Sequence, residues 1–204
     1  MKGRNEMLDM RISLKKIAQK IENKTVGKSL SFVTPDNTLS QGTFIANLAL
    51  QYARKGERVL ILDTDTERNV FCSAFYLKKE LGLLQLFARH EESSQKYLQE
   101  VPVTEGSLFV LCAGEGTEQE MIATMKSSGF STLFADLEPK FDRVFLNVKP
   151  QSSITKVMPA LEVTDGTIVT IEKDFTRKKL IHKLIKQLLL HDQPTVGYVT
   201  IQRK

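Results

Sequence analysis

Apolar positions recur along the chain in two rhythms. Ser29 to Thr34, Arg58 to Leu62, Leu108 to Leu111, Arg143 to Val148, Gly166 to Ile171 and Val196 to Ile201 are short, mostly apolar runs bounded by turn or polar residues, as expected of strands covered on both faces. Between them, apolar residues return every three or four positions. Met7, Met10, Leu14, Ile17 and Ile21 predict a helix over 6–23, and Phe44, Ile45, Leu48, Ala49 and Tyr52 predict one over 42–55 that Gly56 stops. Leu83, Leu84 and Phe87 predict a short helix, 118–137 a long one entered through Gly114 and Gly116, and 151–162 another. Over 174–191, Leu180, Ile181, Leu184, Ile185, Leu188 and Leu189 form a stripe for burial, with Arg177, Lys178, Lys179, Lys183 and Lys186 outside it. Alternation of strand and helix predicts an α/β fold, a largely parallel sheet wrapped by helices.

Composition narrows the class. At 204 residues and 41% apolar content, the chain supports one compact core, and no repeat or long linker divides it. The net charge of +5 is spread as +5 over 1–30, −5 over 31–170 and +5 over 171–204, too mild for a nucleic-acid arm. No apolar run approaches the roughly 18 residues of a bilayer span, and the start lacks the apolar core of a secretory signal. Cys72 and Cys112 make no disulfide framework and fit no metal-ligand spacing, so both are expected to be reduced, in a cytoplasmic protein. His90, His182 and His191 lie among polar residues and are expected at the surface.

Three segments in order, SFVTPDNTLSQGTFIANLALQYARKGERVLILDTD, FDRVFLNVKP and TVGYVTIQ, resemble the frame of P-loop ATPases of the MinD/ParA superfamily. They are most similar to the cytoplasmic tyrosine kinases of bacterial capsule and exopolysaccharide systems, the CapB/CpsD type. Val33-Thr34 and Ala46-Asn47-Leu48-Ala49 hold the places of the family's VTS and ANLA, and Leu62-Asp63-Thr64-Asp65 with Arg68 resembles its second acidic motif. Gly82-Leu83, LFVLCAG at 108–114 and Glu120-Met121-Ile122 continue the likeness. The resemblance implies a three-layer α/β/α, P-loop NTPase-like fold with a mainly parallel central sheet. Residues 1–27 are then an N-terminal helix packing on the core and 28–204 a single domain.

The same register exposes departures where the chemistry lies. Counting back from Ala46, Gln41 takes the family's Lys position, Gly42 its Ser and Thr43 the following Thr. The loop Asp36-Asn37-Thr38-Leu39-Ser40 has no glycine, and no Lys occurs between Ser29 and Arg54. A P-loop needs small residues to turn backbone N–H groups toward phosphate, a Lys against the β/γ charge and a hydroxyl on Mg²⁺. Asn147 stands where the family's third motif places a Mg²⁺-shell Asp. Asp63 and Asp65 remain, either as a weak cation site or as ordinary turn and cap residues. Gln41, Gly42 and Thr43 open a helix end that suits an anion, or a plain N-terminus capped by Ser40 or Thr43. No late tyrosine cluster like the family's occurs within these 204 residues; Tyr198 lies within an apolar strand. Of its E-x-x-R-x-x-R assembly helix only Glu6 and Arg11 remain, with a one-residue gap.

The resemblance and its departures together imply a silent kinase relative, with no catalytic residue and no metal site. No cofactor is expected, and ATP with Mg²⁺ only weakly. Implied partners are a membrane-anchored polysaccharide co-polymerase or kinase adaptor, and an active sister kinase or a second copy of the chain. No nucleic acid is expected. The chain would then lie in the cytoplasm, at the inner face of the membrane through that partner. Asp36, Asn37, Thr38, Leu39 and Arg68 are the candidate partner contacts. An active kinase with an atypical loop, and a ParA/MinD-like positioning or secretion accessory, are the rival readings.

Overall fold

The computed structural model describes residues 14–23, 27–36, 40–89, 93–150 and 154–202. The positions expected in helix 6–23 that precede residue 14, together with Asn37, Thr38, Leu39 and His90, lie outside the described residues.

The sheet has seven strands: β1 (Ser29–Val33), β2 (Arg58–Asp63), β3 (Gln99–Val101), β4 (Ser107–Leu111), β5 (Arg143–Asn147), β6 (Gly166–Glu172) and β7 (Thr195–Ile201). They lie in the order β3-β4-β2-β5-β1-β6-β7. Every neighbouring pair is parallel except β3 with β4. Parallel pairing demands crossovers, and the intervening helices supply them on both faces. Helix α1 covers residues 14–22. With α2 (Ser40–Ala53) and α3 (Val70–Phe75) it packs on one face, where Leu14, Ala18, Ile21, Ile45, Leu48, Tyr52 and Phe71 meet Phe32, Ile61 and Phe145. On the other face lie α4 (Leu83–Ala88), α5 (Glu118–Lys126), α6 (Ser128–Leu137), α7 (Met158–Leu161) and α8 (Lys178–Leu190), over Leu60, Leu62, Leu111, Val144 and Leu146. The three-layer α/β/α arrangement expected from the sequence is the one observed. Tyr52 fixes α1 to α2: its hydroxyl donates to the Ala18 carbonyl at 3.2 Å, and burial pushes its pKa up to about 12.

Local chemistry sets the element ends. Gly56 takes φ 91°, the left-handed conformation that ends α2 before β2 begins. A Cβ on Gly82 would lie 2.3 Å from Gly114 Cα, so only glycine lets the start of α4 approach the turn after β4. Thr117 and Glu120 form a reciprocal capping box at the start of α5.

Four local expectations need correction. Segment 118–137 is two helices, because Ser127 is extended (φ −74°, ψ 148°) and its side chain caps α6 by accepting from Phe130 N–H. The 151–162 segment is a 3-10 turn over Ile154–Lys156 followed by the four-residue α7; residues 151–153 are outside the description. Leu189 is 65% exposed, since only Leu184 and Leu188 of α8 reach the core fully. Tyr198 is 70% exposed, because β7 is an edge strand that pairs with β6 alone. His182 and His191 are exposed, as expected.

Candidate functional site

In open parallel sheets, ligand sites lie beyond the carboxyl ends of the strands, where crossovers diverge. Here those ends belong to β2, β5, β1 and β6, adjacent in the sheet, and the first turn of α2 closes over them. The register that pairs Asp63 with Asn147 and Phe32 with Asn147 sets three strand ends level.

A continuous line of hydrogen bonds crosses those four strand ends. From β6, the Thr170 hydroxyl donates to Gln41 Oε1 at 2.6 Å and approaches the Val33 carbonyl at 3.2 Å. Gln41 Nε2 donates to Asn147 Oδ1 at 2.8 Å, to the Val148 carbonyl at 2.9 Å and to the Phe32 carbonyl at 3.2 Å. Asn147 Nδ2 then donates to Asp63 Oδ1 at 2.7 Å, which also accepts from Asp65 N–H at 3.0 Å. Two backbone carbonyls can only accept, so they fix which end of the Gln41 amide carries hydrogen, and that choice fixes Asn147 in turn. Gln41, Asn147 and Asp63 are 2%, 4% and 1% exposed, and a buried network of this kind is stable because every member has a partner.

Neutrality follows from burial. Complete desolvation raises Asp63 from 3.8 to about 7, against the lowering effect of the bonds from Asn147 and the Asp65 backbone. The carboxyl group is therefore largely protonated below neutral pH. Burial also raises Asp65, although bonds from the Arg68 and Glu67 backbone and the Arg68 charge pull the other way. Asp65 Oδ1 accepts from both Glu67 N–H and Arg68 N–H at 3.2 Å, and its Oδ2 stands 3.8 Å from Arg68 Nε. It therefore organises the turn that leads to α3. Thr64 ties this turn to β5, its N–H and hydroxyl both donating to the Asn147 carbonyl.

The remaining positions named from sequence are spread around this line. Ser40 is half-exposed at the first residue of α2, Thr43 faces solvent, and Asp36 accepts from the Thr34 hydroxyl at 3.3 Å. Gly42 is buried, and a Cβ there would stand 3.0 Å from the Val70 side chain. Arg68 is half-buried against Asp65 rather than an open surface charge. Two participants were missed by sequence reasoning. Thr170 gives no signal within an apolar strand. Lys149, two residues beyond Asn147, reaches Glu67 at 2.7 Å and Glu118 at 2.8 Å. Burial lowers its pKa, but those two carboxylates more than offset this and hold it above the ordinary value. A Lys just past a strand's carboxyl end was the signal available. Among the described residues, no group of three or more His, Cys, Asp or Glu is placed to hold a metal ion, and no helix is long and apolar enough to cross a membrane.

Chemically, the line is closed on itself. Both hydrogens of the Gln41 amide point at protein acceptors, and the bonds at Asp63 converge on Oδ1 from within the fold. Comparison with known proteins gives a consistent family. Residues 38–194 match the family described as AAA domain (AAA_31). The Staphylococcus aureus protein named "putative tyrosine-protein kinase CapB" is 26% identical over 158 residues, covering 76% of this chain and 67% of CapB. Among solved structures, the BceF tyrosine kinase domain superposes with a TM-score of 0.80 at 19% identity, covering 92% of this chain and 75% of that one. The chimerical protein CapA2B2 gives 0.80 at 20% identity, covering 94% and 83%. At those identities the structural likeness establishes the fold.

Proposed function

The chain belongs to the AAA_31 family of AAA domains, with tyrosine kinases among its relatives, and on that premise we propose that it is a catalytically silent member. Its role is that of a binding or regulatory subunit in a bacterial capsular or extracellular polysaccharide machine. The observation that carries this reading is the inward turn of Gln41. At the position the resemblance assigns to a phosphate-binding Lys, a neutral amide spends both its hydrogens on Asn147, Val148 and Phe32. Phosphoryl transfer in such folds depends on positioning and charge neutralisation, and a sealed neutral line offers neither. Asn147 lacks the charge of a metal-shell carboxylate and its amide donates to Asp63 Oδ1, so these residues do not fit Mg²⁺ with ATP. Gly42 supplies no hydroxyl, and its place against Val70 leaves little room for one.

Titration calorimetry with Mg·ATP tests the silence. Absence of the Lys and of the carboxylate each removes a charge-assisted contact worth on the order of 1.5–3 kcal/mol, so affinity is expected no tighter than about millimolar, with no hydrolysis. Low-micromolar affinity or steady phosphate release overturns the reading in favour of an active kinase.

An inactive subunit works through its surfaces. We assign the partner contact to residues 36–43 and the Asp63 to Arg68 turn, for a membrane-anchored polysaccharide co-polymerase, an active sister kinase or a second copy of this chain. Lys149 and Asp65 hold that turn in one conformation, as a fixed protein contact requires. Charge reversal at Arg68, with circular dichroism to confirm folding, is expected to weaken partner pull-down, whereas reversal of Lys178 and Lys179 is not. The opposite pattern transfers docking to α8.

A further inference from the structure

Cys72 and Cys112 share no motif and are 40 residues apart in sequence, yet the fold brings them into contact. Cys72 lies in α3, Cys112 directly after β4, and both side chains are buried. Their sulfur atoms are 2.7 Å apart, well inside the roughly 3.5–4 Å at which unbonded heavy atoms rest. The backbone of each cysteine is held in place. The Cys72 carbonyl accepts from Leu77 N–H, the Cys112 carbonyl accepts from Leu83 N–H at 2.8 Å, and Cys112 bridges to Gly82 in parallel register. Gln99 Nε2 stands 3.8 Å from Cys112 Sγ.

We propose that Cys72 and Cys112 are a redox modification site that forms a reversible disulfide, with hydrogen peroxide as the oxidant. The Cys72 thiolate attacks the peroxide oxygen, forming an S–O bond as the O–O bond breaks. Hydroxide leaves, takes up the proton lost from Cys72, and departs as water, leaving a sulfenic acid. The Cys112 sulfur then attacks the Cys72 sulfur, the S–O bond breaks, and the hydroxyl leaves with the Cys112 proton as a second water. Two thiols and one peroxide thus give one disulfide and two waters. Cys72 suits the first role, since its hydrogen bond with Cys112, helped by the Lys79 charge, lowers its pKa more than burial and the Asp63 charge raise it. Burial limits entry to small oxidants. The new bond closes a loop that contains α4, β3 and β4, and it fastens α3, which follows the Asp65 turn, to the end of β4. The proposal stands whether or not the chain binds nucleotide.

The test treats the full chain with hydrogen peroxide, then maps peptides under non-reducing conditions. The expected product is an intramolecular Cys72–Cys112 peptide lighter by about 2 Da than its two thiol parts. Dithiothreitol should reverse it, and the oxidised chain should unfold at a higher urea midpoint than the reduced one. In Cys112→Ser, Cys72 should instead accumulate as a sulfenic acid trapped by dimedone. If that variant does not fold, the wild-type peptide map decides alone. Recovery of both thiols unmodified, overoxidation to sulfinic acid without a cross-link, or linkage only between chains overturns the assignment.

Discussion

At the amino ends of β1 and β5, Arg143 reaches Glu57 at 2.8 Å, Lys28 donates to the Phe141 carbonyl at 3.0 Å, and Asp165 accepts from the Ser29 backbone and hydroxyl. The Lys28, Glu57 and Arg143 side chains there keep part of their exposure to water. At the carboxyl ends of these strands and their neighbours β2 and β6, Gln41, Asn147 and Thr170 are neutral and sealed, and the one acid bonded to them, Asp63, is pushed toward its protonated form. The two ends are bonded comparably well but differ in what a lost partner costs. Water can replace a partner at the amino end. At the carboxyl end nothing can, so each bond there counts at its full desolvation value.

The sharpest way to break this comparison is Gln41→Leu, which keeps similar bulk but strips partners from Thr170, Asn147, Val148 and Phe32. A loss of about 3 kcal/mol or more is expected in urea unfolding, and a loss below about 1 kcal/mol would show that the line is wet.

Next in size is the pH response of Asp63. Its folded pKa of about 7 exceeds the free value of 3.8, so the fold favours the acid form. That contribution is complete below the free value, drains as pH rises through the folded one, and totals on the order of 4 kcal/mol. Other carboxylates add slopes of their own, so the readout is the difference between the parent and Asp63→Asn across this window. Bonds from Asp65 and Asn147 both fall on Oδ1, which a carboxamide oxygen can replace. Asp63→Asn is therefore expected to flatten the loss and to be the more stable protein above pH 7; equal slopes would mean that Asp63 is ionised at all working pH values.

The smallest effect belongs to the opposite end. Glu57→Gln, which weakens the pair with Arg143, should cost under about 1 kcal/mol and fade further in high salt. A cost matching that of Gln41→Leu would erase the distinction between the two ends.

Legibility in the sequence followed how strongly each element is specified by its own residues. Strands β1, β2, β4, β5 and β6 are apolar because both faces are covered, and that run survives in sequence. β3 has no such run: in Gln99–Val101 only Val101 is buried, and the strand exists through antiparallel pairing with β4. The break at Ser127 had a trace, since the buried spacing jumps by five from Met125 to Phe130 while the apolar content continues. At the site, register placed Gln41, Asp63 and Asn147 near one another. It could not show that the Gln41 amide turns inward, since Thr170 and two backbone carbonyls decide that and carry no sequence signal. The contact between Cys72 and Cys112 is likewise a product of tertiary approach.

Residue 42 couples the line to its surroundings through packing. With Gly42 pressed to 3.0 Å from Val70, a serine there forces Val70 to yield by a few tenths of an ångström. A lysine at 41 would in turn set an ammonium among acceptors arranged for an amide. Changes at 42 are therefore expected to be non-additive with changes at 70, and changes at 41 with changes at 147, because each pair is in direct contact.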